Sequence, residues 1–172
     1  MAQHLVLVGL PGSGKSAVGH LVAGGLGCRL VDVDSLLVRE RGMPVAQIFG
    51  MVGEPKFRQM ERDAVRTARA GEPCVIAPGG GWAAQPGEIN AAKQDSILFY
   101  LKCQPSVAAK RVEQGEIRPL LAGTDMGARI GELLKEREPY YVLAHYHVAA
   151  DNRSADKVAA EVMDLARRHG GW

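Results

Sequence analysis

The feature that most constrains this chain is residues 9–16, GLPGSGKS, which match the pattern G-x-x-x-x-G-K-[ST] at every fixed position. The apolar run His4–Val8 precedes it and is typical of a buried strand, and residues 17–26 follow it with helix-like apolar spacing. Strand, glycine loop and helix therefore occur in the order of a nucleotide-binding P-loop. Glycines let the backbone curl so that its N–H groups point at phosphate oxygens, and the helix N-terminus adds partial positive charge. We therefore expect this segment to bind the phosphates of ATP.

Each polar residue of this loop has an expected role. Lys15 is expected to reach the β- and γ-phosphates, and the Ser16 hydroxyl is expected to ligate Mg²⁺. The alternative, a flexible glycine turn that ends in a surface lysine, leaves the flanking strand and helix unexplained. The expected nucleotide-binding residues are Gly12, Ser13, Gly14, Lys15, Ser16 and Ala17.

The whole chain of 172 residues fits a single domain, which we expect to span residues 1–172. Its 47% hydrophobic and 23% charged content is ordinary for a soluble protein, and a net charge of +2 is too small to predict nucleic acid as the main partner. No apolar run has the length of a membrane span. The three cysteines have no C-x-x-C spacing and predict reduced thiols. We expect a cytoplasmic protein without membrane or nucleic-acid partners.

Two carboxylates follow the second predicted strand, residues 28–32. Asp32 and Asp34 are two residues apart, so both side chains can project from the carboxyl end of that strand, where open α/β sheets bind ligands. Next to a P-loop, one carboxylate suits the Mg²⁺ environment and the other suits orienting or deprotonating a substrate hydroxyl. The alternative is a solvated turn in which Asp34 or Ser35 caps a helix.

A predicted helix at residues 55–70 carries Arg58 and Glu61 three positions apart. They are either a surface ion pair on a solvated face or a bidentate clamp for a small carboxylate, with Glu61 holding Arg58. Periodicity alone does not distinguish these interpretations.

Three consecutive glycines, Gly79, Gly80 and Gly81, follow a predicted strand at residues 74–77 and Pro78. Glycines at this position allow the backbone to approach a ligand that any Cβ would block. The alternative is a flexible loop. At the carboxyl edge of a sheet we favour the ligand interpretation.

The second half of the chain contains two further strands, at residues 97–101 and 147–149. Between them, residues 115–123 are flanked by glycines and centred on Arg118, which suits either a mobile lid over phosphates or an ordinary surface loop. A helix at 126–144 contains Pro139, which predicts a kink or a break. Ser154 is expected to cap the last helix, and His145-x-His147 is more typical of a strand edge than of a metal site.

The order of these elements predicts an α/β fold. Five short strands alternate with helices, which is typical of a parallel sheet covered by helices on both faces.

Together the motifs resemble those of the shikimate kinase family, and the resemblance covers nearly the whole chain. They are residues 9–16, Asp32-Val33-Asp34, Gly53-Glu54-x-x-Phe57-Arg58-x-x-Glu61, Gly79-Gly80-Gly81, Arg118-Pro119-Leu120-Leu121 and Arg137-x-x-Tyr140-Tyr141. Only the first is specific by itself. The resemblance implies a P-loop fold like that of nucleoside monophosphate kinases, with a mobile lid at about 112–125 and acceptor-binding helices at about 34–61.

The resemblance also implies an activity, the transfer of the ATP γ-phosphoryl group to the 3-hydroxyl of shikimate in aromatic amino-acid biosynthesis, by a monomer. It assigns the shikimate carboxylate to Arg58 and Arg137 and the ring hydroxyls to Asp34, the candidate base. It assigns catalytic roles to Asp34, Lys15 and Arg118, the lid arginine that stabilises the transferring group. Further implied contacts are Phe49 and Phe57 against the ring, Gly79, Gly80 and Gly81 at the acceptor, Arg111 and Arg153 near the adenine, and Ser16 and, through water, Asp32 at Mg²⁺.

Two residues depart from the family pattern. Trp82 stands where the family commonly has a small residue, and Pro78 precedes the glycines. The indole either narrows the acceptor pocket or packs into the core, and packing is the favoured interpretation. Two other functions remain open at this point: a kinase of another hydroxylated acceptor, resembling gluconate kinase, and a non-catalytic ATP-binding regulator whose pocket Trp82 occludes.

Overall fold

The computed structural model describes residues 1–114 and 125–172. The strands in these residues are β1 (His4–Val8), β2 (Leu30–Asp32), β3 (Val75–Ala77), β4 (Ser96–Lys102) and β5 (Tyr146–Ala149). They form one sheet in the order β2-β3-β1-β4-β5, and every neighbouring pair is parallel. The predicted five-stranded parallel sheet is confirmed.

Helices connect these strands and cover the sheet. In the described part of the chain they are α1 (Lys15–Leu26), α2 (Val33–Arg41), α3 (Val45–Val52), α4 (Glu54–Arg69), α5 (Glu88–Ala92), α6 (Pro105–Glu113), α7 (Met126–Tyr141) and α8 (Ala155–His169). All residues of β1 and β3 are buried. Because successive side chains of a strand point to opposite faces, both faces of the sheet are covered, which explains the continuous apolar runs in the sequence.

The start of α2 differs from the prediction. The helix begins at Val33, and the Asp32 side chain caps it by accepting a hydrogen bond of 3.3 Å from the Ser35 backbone N–H. The interpretation that Asp34 or Ser35 is the cap was therefore wrong. Asp34 lies in the first turn of α2, where its negative charge is favoured by the helix dipole.

The long helix α7 does not break at Pro139. It continues through Pro139 and ends at Tyr141, three residues before the predicted end at 144. Pro139 lies in the last turn, so its missing N–H removes a single hydrogen bond, and Val142 N–H still donates to Glu138 O at 3.0 Å. The predicted cap of α8 is confirmed, because Ser154 Oγ accepts a 3.3 Å hydrogen bond from Lys157 N–H.

The predicted lid, 112–125, falls at residues 115–124 outside the described residues, and so does Arg118. None of the helices that the structure describes is long and apolar enough to cross a membrane.

The sheet brings three loops to one edge. The P-loop follows β1, α2 follows β2, and the glycines follow β3, which lies between β1 and β2. Since the strands are parallel, all three connections leave the carboxyl edge together, where ligands bind in such sheets.

Candidate active site

The P-loop needs its glycines for two physical reasons. Gly14, the residue before α1, has a φ of 94°, a left-handed conformation that side chains with a Cβ rarely adopt. Gly12 has a φ of 81°, and a Cβ there would overlap the backbone carbonyl of Ala108 in α6. No side chain that the structure describes caps α1. Its first N–H groups are therefore free of a competing cap and suited to oxyanions.

The two polar residues at the start of α1 are already oriented by the protein. Lys15 Nζ donates to the carbonyls of Gly9 and Leu10, each at 2.8 Å, so the ammonium lies directly over the loop. The Ser16 hydroxyl donates to the carboxylate of Asp32. A hydroxyl and a carboxylate in contact beside a phosphate-binding loop are oxygen donors of the kind that Mg²⁺ prefers.

A cavity of about 240 Å³ lies at this edge of the sheet and joins the P-loop to α2, α3, α4 and α7. Most residues predicted for the site line it. They are Gly12, Gly14, Lys15, Ser16, Ala17, Asp32, Asp34, Phe49, Phe57, Arg58, Gly79, Gly80, Gly81 and Arg137. The structure therefore brings the predicted nucleotide-binding and acceptor-binding residues together in one cavity.

An aromatic wall closes one side of this cavity. The rings of Phe49 and Phe57 have centroids 5.3 Å apart and are tilted by 55°, and they belong to α3 and α4. The guanidinium carbon of Arg58 lies 5.7 Å from the centre of the Phe57 ring. This wall offers an apolar surface beside a cation, which suits a small ring that carries a negative group.

The structure excludes one of the two interpretations of Arg58 and Glu61. The Glu61 side chain is only 1% exposed and accepts a 2.8 Å hydrogen bond from Arg58 Nη1. Burial raises the pKa of the Glu61 carboxyl, and the nearby Arg58 guanidinium opposes that increase. An ion pair whose carboxylate is buried and whose residues line a cavity is not a solvated surface pair, so Glu61 holds Arg58 in place. That Arg58 binds a small carboxylate stays a prediction.

Gly79, Gly80 and Gly81 lie next to the charged side chains of the cavity. None of them has a positive φ, so an alanine backbone fits at each position. A Cβ on Gly79 would overlap Glu61 Oε2, one on Gly80 would lie 3.0 Å from Arg137 Nη1, and one on Gly81 would lie 2.7 Å from Arg58 Cζ. The prediction that the glycines admit a ligand stays a prediction. In the structure they make room for the charged groups of the cavity.

Among the described residues, three of those predicted to bind the nucleotide do not line the cavity. Arg111 donates to Gly12 O at 3.3 Å and to Ala150 O at 3.1 Å, so it supports the P-loop from behind. Arg153 pairs with Glu161 at 2.7 Å. Ser13 is buried, and its hydroxyl has no hydrogen-bond partner among the described residues.

Of the two departures from the family pattern, Pro78 lines the cavity and Trp82 does not. Trp82 is fully buried in the core, so the packing interpretation is confirmed and the indole does not occlude the site.

The two histidines at the last strand bind backbone groups. His145 Nδ1 accepts a 3.0 Å hydrogen bond from Leu98 N–H, and His147 Nε2 lies 3.0 Å from Val142 O. Residues 1–114 and 125–172 contain no group of three or more His, Cys, Asp or Glu side chains that could hold a metal.

The sequence analysis gave no role to two residues beside the cavity. Gln85 accepts a hydrogen bond from Arg62 and donates one of 3.3 Å to Glu61 Oε1. Tyr141 donates to Gly80 O at 2.7 Å. The sequence did contain a signal for Tyr141, which lies four residues after Arg137 within one of the motifs quoted above. It contained no such signal for Gln85, since that residue follows the glycines in an irregular segment.

A P-loop, two carboxylates, an aromatic wall and two arginines around one cavity define a small-molecule P-loop kinase. The family model for shikimate kinase matches residues 11–167 of this chain. A shikimate kinase from Symbiobacterium thermophilum is 39% identical over 97% of this chain and 98% of its own length, and one from Caldanaerobacter subterraneus subsp. tengcongensis is 38% identical over 94% of each. The chain belongs to the shikimate kinase family.

Solved structures agree with this assignment. A shikimate kinase from Acinetobacter baumannii in complex with shikimate has a TM-score of 0.91 at 30% identity and covers 98% of this chain and 94% of its own. A gluconokinase from Sinorhizobium meliloti has a TM-score of 0.68 at 17% identity, which shows a shared fold alone.

Proposed function

We propose that this chain transfers the γ-phosphoryl group of ATP to the 3-hydroxyl of shikimate and forms shikimate 3-phosphate for aromatic amino-acid (chorismate) biosynthesis. The observation that carries the proposal is a single cavity in which the P-loop faces two arginines, the partly buried Arg58 and the buried Arg137. Phosphoryl transfer needs an acceptor, and paired guanidinium groups favour one that bears a carboxylate. Family membership and the relative in complex with shikimate support the same acceptor.

At the nucleotide end, Lys15 exchanges its contacts with the loop carbonyls for the β- and γ-phosphates of ATP. Ser16 and Asp32 are the residues that would hold Mg²⁺, Ser16 directly and Asp32 through water. Bound Mg²⁺ supplies positive charge that offsets the charge of the phosphates. Arg118, outside the described residues, is the proposed cation that stabilises the transferring group once a lid at about 112–125 closes.

At the acceptor end, Arg58 and Arg137 hold the carboxylate, and Phe49 and Phe57 contact the ring. Asp34 lies on the same cavity and orients the reacting hydroxyl or accepts its proton. Phosphoryl transfer through a loose transition state depends on positioning and charge more than on early deprotonation. We propose these roles from where the described side chains lie. We also propose that the acceptor-binding helices lie at about 34–61 and that residues 1–172 form one domain that acts as a monomer.

A coupled ADP-release assay with Mg·ATP tests the proposal, with shikimate, gluconate and no acceptor compared at equal enzyme concentration. We expect turnover with shikimate alone. The Lys15→Ala variant is expected to lose turnover and to keep the wild-type thermal unfolding, because the Lys15 ammonium contacts carbonyl oxygens of the P-loop and is proposed to bind phosphates. Near-normal activity of Lys15→Ala, or turnover with gluconate in place of shikimate, would contradict the proposal.

A further inference from the structure

We infer that Tyr141 is a positioning residue of the acceptor site, whose hydroxyl fixes the Gly80 carbonyl and with it the backbone beside the Arg137 guanidinium. The inference rests on the proposed function, which assigns Arg137 to the carboxylate of shikimate, and on the expectation that Gly80 lies at the acceptor. Tyr141 does not line the cavity, so it acts through these two residues rather than on the substrate.

The direction of the hydrogen bond between Tyr141 and Gly80 is determined by chemistry. Tyr141 OH has one proton, and it donates that proton to Gly80 O at 2.7 Å. Arg137 and Tyr141 are four residues apart on α7, which places them on the same side of the helix. The positive charge of Arg137 opposes the effect of burial on the pKa of Tyr141, which agrees with this arrangement.

The hydrogen bond from Tyr141 to Gly80 also affects the surroundings of the second arginine, Arg58. Fixing the carbonyl of Gly80 fixes the peptide plane between Gly80 and Gly81. A Cβ on Gly80 would lie 3.0 Å from Arg137 Nη1, and a Cβ on Gly81 would lie 2.7 Å from Arg58 Cζ. This peptide therefore lies between the two guanidinium groups. Tyr141 supports the backbone that lies beside both of them.

Tyr141 is itself held rigidly. Its side chain is fully buried, and its ring centre lies 5.2 Å from that of Tyr100, whose hydroxyl donates to Glu138 on α7. Burial raises the pKa of Tyr141 to about 12, so the phenol stays protonated at neutral pH and remains a donor to Gly80. A rigid, neutral hydroxyl is suited to positioning and not to proton transfer.

The test is Tyr141→Phe, which removes one oxygen and keeps the ring, assayed with shikimate and ATP varied separately. We expect the KM for shikimate to rise about two- to tenfold, the range for one lost hydrogen bond, while the KM for ATP stays unchanged. Tyr140→Phe is the exposed control on the same helix and is expected to change neither KM. Tyr100→Phe is the buried control, because it removes a hydroxyl that binds α7 but does not contact Gly80 or Arg137. It is expected to lower thermal stability like Tyr141→Phe without the selective rise in shikimate KM.

A second measurement distinguishes positioning from general loosening of the fold. In an Arg137→Ala background, Tyr141→Phe should raise the shikimate KM by a smaller factor than in the wild type, since part of its effect acts through Arg137. The same factor in both backgrounds, an unchanged shikimate KM, or equal rises for ATP and shikimate would each overturn the inference for Tyr141 alone. A wild-type enzyme that does not use shikimate would instead overturn the proposed function, and this inference with it.

Discussion

Replacing Gly81 by alanine tests whether a side chain at this position would displace the Arg58 guanidinium. A Cβ at this position would lie 2.7 Å from Arg58 Cζ and Nη1, whereas carbon atoms in ordinary contact are about 3.5–4.0 Å apart. The guanidinium must therefore retreat by about 1 Å. Its 2.8 Å bond to Glu61 cannot survive that shift unchanged. The backbone of Gly81 has no positive φ, so it accepts alanine without strain.

The expected effect is larger on binding geometry than on stability. The Arg58 guanidinium is the far end of a flexible side chain, so it can move, but its weakened bond to the buried Glu61 also lowers stability. Displacing a positioning group by about 1 Å can cost up to roughly a hundredfold in an enzyme. We therefore expect Gly81→Ala to raise the KM for shikimate about 10- to 100-fold, with an ATP KM within about twofold of wild type and a lower thermal unfolding midpoint.

Steady-state kinetics with each substrate varied, together with thermal unfolding, measure these quantities. Gly24→Ala in α1 is the matched control, because a Cβ there would meet nothing within 4 Å. It is expected to leave both KM values unchanged and to stabilise the helix by about 0.5–1 kcal/mol. An unchanged shikimate KM in Gly81→Ala, or a loss of folding without a kinetic effect, would refute the reasoning.

Three further perturbations follow from the same geometry. Arg58→Ala and Arg137→Ala should each raise the shikimate KM at least about tenfold and change the ATP KM less than about twofold, because each variant loses a charge-assisted contact with the acceptor. Equal effects on the KM values of both substrates in steady-state assays would place the acceptor site elsewhere. Trp82→Ala should lower the free energy of unfolding, measured by urea titration, by about 3–5 kcal/mol, because the indole is fully buried. The shikimate KM should stay within about threefold of wild type, because the indole lies outside the cavity, and a large selective change in that KM would count against the packing role. Burial raises the pKa of Glu61 above its usual value of 4.5, so the native state binds this proton more tightly than the unfolded state, and stability falls as pH rises from about 4.5 through the raised pKa. The difference in unfolding midpoint between Glu61→Gln and the wild type should therefore increase as the pH rises over that interval. Unfolding midpoints that change in parallel with pH in the two proteins would contradict this.

Local patterns in the sequence predicted the sheet and the nucleotide end of the site. The P-loop needs only a strand, a glycine loop and a helix in succession, and Asp32 follows the next strand directly, so short-range information places Lys15, Ser16 and Asp32 correctly. The same information did not find the cap of α2. Asp32 contacts both Ser16 and Ser35 N–H, and periodicity does not show that one carboxylate has two partners.

Long-range contacts explain what the sequence did not reveal. Helical spacing placed Arg58 and Glu61 on one face of the helix. It did not show whether that face was solvated, because the segment that covers it comes 20 or more residues later and includes Gln85. Tyr141 contacts Gly80 across 61 residues, and Arg111 reaches Gly12 across 99. Such pairs depend on how strands and helices pack in three dimensions, which residue spacing within one element does not encode.

The central claim is that two arginines, Arg58 and Arg137, recognise the carboxylate of the acceptor. The most direct test compares kcat/KM for shikimate with that for its neutral methyl ester on the wild-type enzyme, at saturating Mg·ATP. The ester keeps every hydroxyl and loses only the negative charge that Arg58 and Arg137 are proposed to bind. We predict a fall in kcat/KM of at least about a hundredfold, the loss expected when hydrogen bonds to two charged groups are removed. An ester that is phosphorylated as efficiently as the acid would contradict the claim.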